Sequence, residues 1–189
     1  MKARRLAWFE AEPELDPARL VFIDETGAST KMARLRGRAP RGARCRAAIP
    51  HGHWKTTTLV AALRLEGMTA AMVIDGAMNG EAFRAWVRHM LAPSLRAGYI
   101  VVMDNLPAHK VAGVREMIEA AGARLLYLPP YSPDFNPIEQ AFAKLKALLR
   151  KAAERTVEGL WKVIGQLLER FDPTECANYL VNSGYPRSA

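Results

Sequence analysis

Apolar positions along the chain follow two alternating rhythms. Short unbroken runs that end in an acid, a glycine or a proline predict buried strands: "RLVFIDET" (19–26), "YIVVMDN" (99–105) and "ARLLYLP" (123–129). "WKTTTLVAALRLEG" (54–67) is rich in β-branched residues and closes on Gly67, and "MTAAMVIDG" (68–76) returns from it, so these two predict a hairpin. The other rhythm is helical. "NGEAFRAWVRHMLAPSL" (79–95) carries Phe83, Trp86, Val87, Met90 and Leu91 at helical spacing, with Asn79 placed to cap it. "HKVAGVREMIEAAG" (109–122) predicts a helix closed by Gly122, and further helices are expected over 137–152, 156–171 and 173–182. The order β, ββ, α, β, α, β, α with a helical tail predicts an α/β fold, a mixed sheet covered by helices on both faces. Residues 1–18 are expected as an N-terminal tail, remnant or linker. Residues 19–152 are expected as the main domain, and 153–189 as a helical extension packed on it through Leu160, Trp161, Ile164, Leu167, Leu168 and Phe171.

One stretch fits neither rhythm. "LPPYSPDFNPIEQAFAKLK" (128–146) holds Pro129, Pro130, Pro133 and Pro137 within ten residues, and a helix starts immediately afterwards. Each proline fixes φ near −65° and removes a backbone donor, so the segment predicts a rigid arm that delivers the next helix to a set place. On that helix Ile138, Phe142, Leu145 and Leu149 form an apolar stripe. Glu139, Ala143, Lys146 and Arg150 share another face. Glu139 on the first turn has two readings. With Asn136 as N-cap and Pro137 at N1, Glu139 is N3 of a capping box. Otherwise it is a reactive carboxylate that the arm positions.

Charge changes the picture in one place. The chain carries +8 overall, yet no acid falls between Glu25 and Glu66. Within "KMARLRGRAPRGARCR" (31–46) lie Lys31, Arg34, Arg36, Arg38, Arg41, Arg44 and Arg46, interrupted by Gly37, Pro40 and Gly42. This predicts a basic loop or short ribbon that meets a polyanion, since seven unneutralised cations repel one another. No apolar run reaches the length of a membrane span, the start is no secretory signal, and Cys45 and Cys176 form no metal or redox motif. A cytoplasmic, nucleoid-associated protein with no membrane partner is the expectation.

Asp24 and Asp104 each close a strand, and catalytic groups in such sheets gather at strand ends. On neighbouring strands their carboxylates would repel unless a cation lay between them. Oxygen ligands without a His or Cys cluster suit Mg²⁺ or Mn²⁺ rather than Zn²⁺. With Glu139 as the third carboxylate, the set predicts a two-metal site for phosphodiester chemistry. Lys146 and Arg150, stepping away from Glu139, would hold the flanking phosphates, alongside Arg36, Arg38, Arg41 and Arg44.

"VFIDET", "VVMDNLPAH" and "LPPYSPDFNPIE" resemble the three motifs of the catalytic domain of DDE transposases, most closely the insertion-sequence six-thirty family within the mariner-like superfamily. The 34 residues between Asp104 and Glu139 match that superfamily's spacing. The resemblance implies a ribonuclease H-like fold over 19–152. It implies two Mg²⁺ or Mn²⁺ ions on Asp24, Asp104 and Glu139, DNA cleavage and strand transfer, and a dimer in the DNA complex. Asn105, His109 and Asn136 would support the metals or position DNA. Gly27 stands where many relatives carry a bulky residue. Only 23 residues precede Asp24, too few for the helix-turn-helix module of full-length relatives. The expectation is therefore an isolated, truncated or split-frame catalytic chain, served by a separate DNA-binding subunit or a full-length transposase. Two other readings stay open: a different ribonuclease H-like nuclease, and a non-catalytic DNA-binding remnant.

Overall fold

A computed structural model describes residues 2–186. Helix α1 (Lys2–Ala11) leads into strand β1 (Leu20–Ser29). A long irregular loop follows, then the hairpin β2 (Thr56–Arg64) and β3 (Gly67–Asp75). Next come α2 (Gly80–Trp86), a π-turn (Val87–Leu91) and the single turn α3 (Ala92–Ser94). Strand β4 (Ile100–Met103), helix α4 (Val114–Ala120) and strand β5 (Arg124–Tyr127) complete the sheet. Helices α5 (Ile138–Ala152), α6 (Val157–Leu168) and α7 (Pro173–Asn182) close the chain.

The five strands lie in the order β3-β2-β1-β4-β5. The hairpin pairs antiparallel with β1, while β1, β4 and β5 are parallel. Strand alternation splits the core in two. Leu20, Phe22, Leu59, Leu63, Ile100 and Val102 face α5, α6 and α7. Val21, Ile23, Val60, Val101 and Met103 face α2, the π-turn and α4. The central strands are thus apolar on both faces, as a sheet covered on both sides requires.

Several local expectations are met by identifiable devices. The Asn79 side chain accepts from the Ala82 amide and caps α2. Helix α4 ends on Gly122 at φ +79°, with Gly122 N–H bonded to Glu119 O and Ala123 N–H to Ile118 O, a Schellman closure. The stripe Ile138, Phe142, Leu145 and Leu149 is buried, as are Leu160, Ile164, Leu167 and Phe171.

Four expectations differ from the structure. The wider π-turn keeps Leu91 inward and carries Met90 out to solvent, so the apolar stripe of that helix breaks there. The helix expected from 109 starts only at Val114, because a 3₁₀ turn (Pro107–Lys110) and Gly113 at φ +91° interpose. The first residues form a helix rather than a plain tail. Trp8 of α1 packs on the core, and Arg5 donates to Ser132 and to both oxygens of Asp134 on the proline arm. Finally, the capping box at α5 does not form. Asn136 makes no side-chain cap there. Glu139 N–H reaches Asn136 O and Gln140 N–H reaches Pro137 O, so a tight first turn satisfies those amides instead.

Candidate active site

The parallel ladder between β1 and β4 runs in register from Leu20 opposite Ile100 to Ile23 opposite Met103. Asp24 and Asp104 are the next residue on each side, so the fold sets them abreast where β4 ends. Asp24 points to the Leu20–Phe22 face, which α5 covers, because side chains alternate along a strand. The proline arm crosses the ends of β4 and β5 and brings Asn136 and Glu139 to the same place. Asp24, Asp104, Asn105, Asn136 and Glu139 line one cavity of about 380 Å³.

Asn136, freed from capping, donates from Nδ2 to Asp24 Oδ2 at 2.9 Å, while the other Asp24 oxygen accepts from the Glu25 amide at 2.7 Å. Burial is the main influence that pushes the Asp24 carboxyl up to about 7. The Glu25 amide works against this, and the charges of Glu139, Asp104 and Glu25 add to it. The Asn136 Oδ1 atom is buried without a partner.

Asp104 is held from two sides. Its Oδ1 accepts from the Leu106 amide at 3.0 Å, and His109 Nδ1 lies 2.5 Å from the same oxygen. His109 is only 1% exposed and stacks 4.5 Å from the Phe83 ring. Its Nε2 sits 2.9 Å from both oxygens of Glu25. Burial opposes a charge on this ring, but the Asp104 and Glu25 carboxylates outweigh it and raise His109 to about 10. Glu25 is the residue that sequence reasoning missed. It follows Asp24, so alternation sends it to the opposite face, where Phe83 and His109 lie. Its signal was the second acid of "DET".

The structure does not bring the expected phosphate-binding residues to the cavity. Arg36, Arg38, Arg41 and Arg44 lie on the exposed loop after β1, in no ion pair among the described residues. Lys146 and Arg150 lie half-buried further along α5. The loop is pinned at its start, where Arg155 Nη1 donates to Thr30 O and Met32 O, and Lys31 sits 3.3 Å above the Trp54 ring. Gly27 is exposed, and a Cβ there would meet nothing within 4 Å, so a bulkier residue would project outward.

Among the described residues no three His, Cys, Asp or Glu groups are drawn close enough to form a ready-made metal cage. The three carboxylates nevertheless fit hard divalent ions. They are oxygen donors around one cavity, and their mutual repulsion contributes to the raised Asp24. No described helix is long and apolar enough to cross a membrane.

The strand order defines a ribonuclease H-like fold, with the abreast aspartates and the third acid on α5 lining one cavity. The chain belongs to the DDE superfamily endonuclease family, whose pattern matches residues 19–160. It is 26% identical over 125 residues to the Tc1 transposase of Caenorhabditis elegans, covering 60% of this chain and 45% of that protein. It is 27% identical over 147 residues to the Tcb1 transposase of Caenorhabditis briggsae, covering 71% and 52%. The chain thus spans about half the length of these relatives. In structure it is similar to the Mos1 transposase paired-end complex with left transposon end, at TM-score 0.72 and 18% identity over 97% of this chain and 57% of that one. It also resembles the mariner Mos1 paired end complex with Mg, at TM-score 0.72 and 15% identity over 96% and 58%. The catalytic domain of Mos1 matches at TM-score 0.62 and 16% identity over 98% and 92%. The mariner-like resemblance and the ribonuclease H-like fold expected from the sequence both hold.

Proposed function

We propose that this chain is the catalytic domain of an insertion-sequence transposase of the six-thirty branch, cutting DNA strands and joining a 3′ end to target DNA. The observation that carries this reading is the convergence of Asp24, Asp104 and Glu139 on one cavity from two strand ends and a proline-braced helix. Asp24, Asp104 and Glu139 would hold two Mg²⁺ or Mn²⁺ ions. Such ions lower the pKa of an attacking water or hydroxyl and stabilise the leaving oxygen of a phosphodiester.

The remaining work falls to the chain's own groups. Asn136 donates to Asp24 Oδ2 and, with the Glu25 amide on the other oxygen, fixes that carboxylate on the cavity wall. His109, backed by Glu25, keeps the Asp104 carboxylate from swinging away. Asn105 on the cavity wall can donate to a phosphate oxygen or a base edge. Arg36, Arg38, Arg41 and Arg44 contact backbone phosphates beyond the site, and Lys146 and Arg150 contact those nearer to it. Recognition of transposon ends belongs to a helix-turn-helix module or a partner subunit, and the active assembly on DNA is a dimer.

The test is Mn²⁺-dependent cleavage of a pre-nicked substrate that bypasses end recognition. Wild type cuts, while Asp24→Asn, Asp104→Asn and Glu139→Gln each lose cutting. Mn²⁺ raises the wild-type melting temperature, since a ligand bound only by the folded state stabilises it. Cutting by Glu139→Gln at the wild-type rate, or no melting shift with Mn²⁺, refutes the reading.

A further inference from the structure

Tyr131 has an exposure and a backbone conformation that the three acids do not explain. Its φ is +56°, in the left-handed region that glycine and asparagine occupy readily and a bulky aromatic does not. Its side chain is 87% exposed, so the core gains nothing from it. The arm is not loose at this point. Pro129 and Ser132 are buried, and Ser132 accepts from Arg5 at 2.7 Å. The strain is therefore imposed by well-packed neighbours, as it commonly is where backbone strain serves a site. Tyr131 stands on the rim of the cavity, and Leu106, half exposed, stands on the same rim from the end of β4. An acidic floor that takes ions and phosphate is thus edged by two unburied apolar side chains.

We infer that Tyr131 stacks on the nucleobase next to the phosphate held by the three acids, and that the site therefore takes a nucleotide unpaired from its duplex. This rests on the DNA chemistry proposed above. The floor is indifferent to base identity, whereas an aromatic face is something every base can use. A base stacked on this ring cannot also sit between its duplex neighbours at that step. Frayed or single-stranded flanks beside the cleavage point are therefore bound more tightly than continuous duplex.

The experiment uses the chain with nicked duplexes that carry 2-aminopurine beside the nick, with the flank either unpaired or paired. Wild type and Tyr131→Phe quench the probe on the unpaired flank. Tyr131→Gly and Tyr131→Leu do not, and their affinity for that DNA falls about 5- to 100-fold. Their affinity for the paired control changes little. Tyr131→Gly also melts no lower than wild type, because glycine relaxes the left-handed backbone, so its loss of affinity is not a loss of fold. Equal quenching and affinity in Tyr131→Gly and wild type overturn the inference and leave the proposed function standing. Failure of wild type to bind either DNA overturns both.

Discussion

Glu12 offers a stability test remote from the three acids. It is 1% exposed, with Oε1 buried and unpartnered. Burial, with a smaller push from the Asp134 charge, raises its carboxyl from the usual 4.5 to about 7. The consequence has a definite sign. Below about pH 4.5 the group is protonated in the folded and unfolded chains alike and carries no penalty. Between 4.5 and 7 the unfolded chain ionises while the folded chain holds its proton, so stability falls as pH rises. Above 7 the penalty is constant. A difference of roughly 2.5 in pKa corresponds to about 3 kcal/mol at most. Glu12→Gln removes the charge and nearly keeps the shape. For a chain of this size, 1 kcal/mol moves the melting temperature by about 2–4 °C. The variant should thus melt with wild type near pH 4.5 and up to about 10 °C above it at pH 8. Thermal melts of both proteins from pH 4.5 to 8 give the difference directly. A gap that is independent of pH, or a variant less stable at pH 8, refutes the account of Glu12 as a buried, unpaired acid.

Other expected outcomes follow from single contacts. Ala153→Gly should raise stability by about 0.5–1 kcal/mol in chemical denaturation, since Ala153 ends α5 at φ +57° and glycine holds that conformation without strain. His109→Ala should cost about 2–4 kcal/mol by the same measurement, because it leaves Asp104 and Glu25 beside an emptied apolar pocket without their shared partner. Without metal, Glu139→Gln should melt within a few degrees of wild type, since the first turn of α5 closes through its backbone. Replacing Arg36, Arg38 and Arg41 by alanine should flatten the salt dependence of duplex binding in a fluorescence titration, by about one unit of slope per lost phosphate contact. An unchanged slope would remove these residues from the DNA interface.

The acids were legible in the sequence because each sits at an element end that apolar patterning marks clearly. The runs before Asp24 and Asp104 are buried on both faces, and no helix competes for them. Asn136 was legible as a residue of interest but not in its task. Its spacing to Pro137 and Glu139 fits a cap, and nothing local reveals a carboxylate 112 residues earlier in the chain that uses its amide. Glu25 was hidden for the opposite reason. Its neighbour drew the attention, and only the three-dimensional pairing shows that the two acids of "DET" serve opposite faces. The late start of α4 was obscured because Val114 and Ile118 keep the helical rhythm while Gly113 breaks the backbone before them. Helix α1 buries too little to leave a clear periodic signal; none of its residues is fully buried.

The shared row of β1 and β4 also governs how such a chain can change over generations. Asp24 and Asp104 lie eighty positions apart yet are matched by a single ladder. Losing one residue between Leu20 and Asp24 would turn the acid to the other side of the sheet, among the neighbours of Ile23. By contrast, the segment between Ser29 and Thr56 leaves the sheet and returns without touching that ladder. Descendants of one ancestral sequence should therefore accept insertions after Ser29 far more readily than a change of length between Leu20 and Asp24. A loop that can take new length thus begins five residues after a carboxylate whose register is fixed.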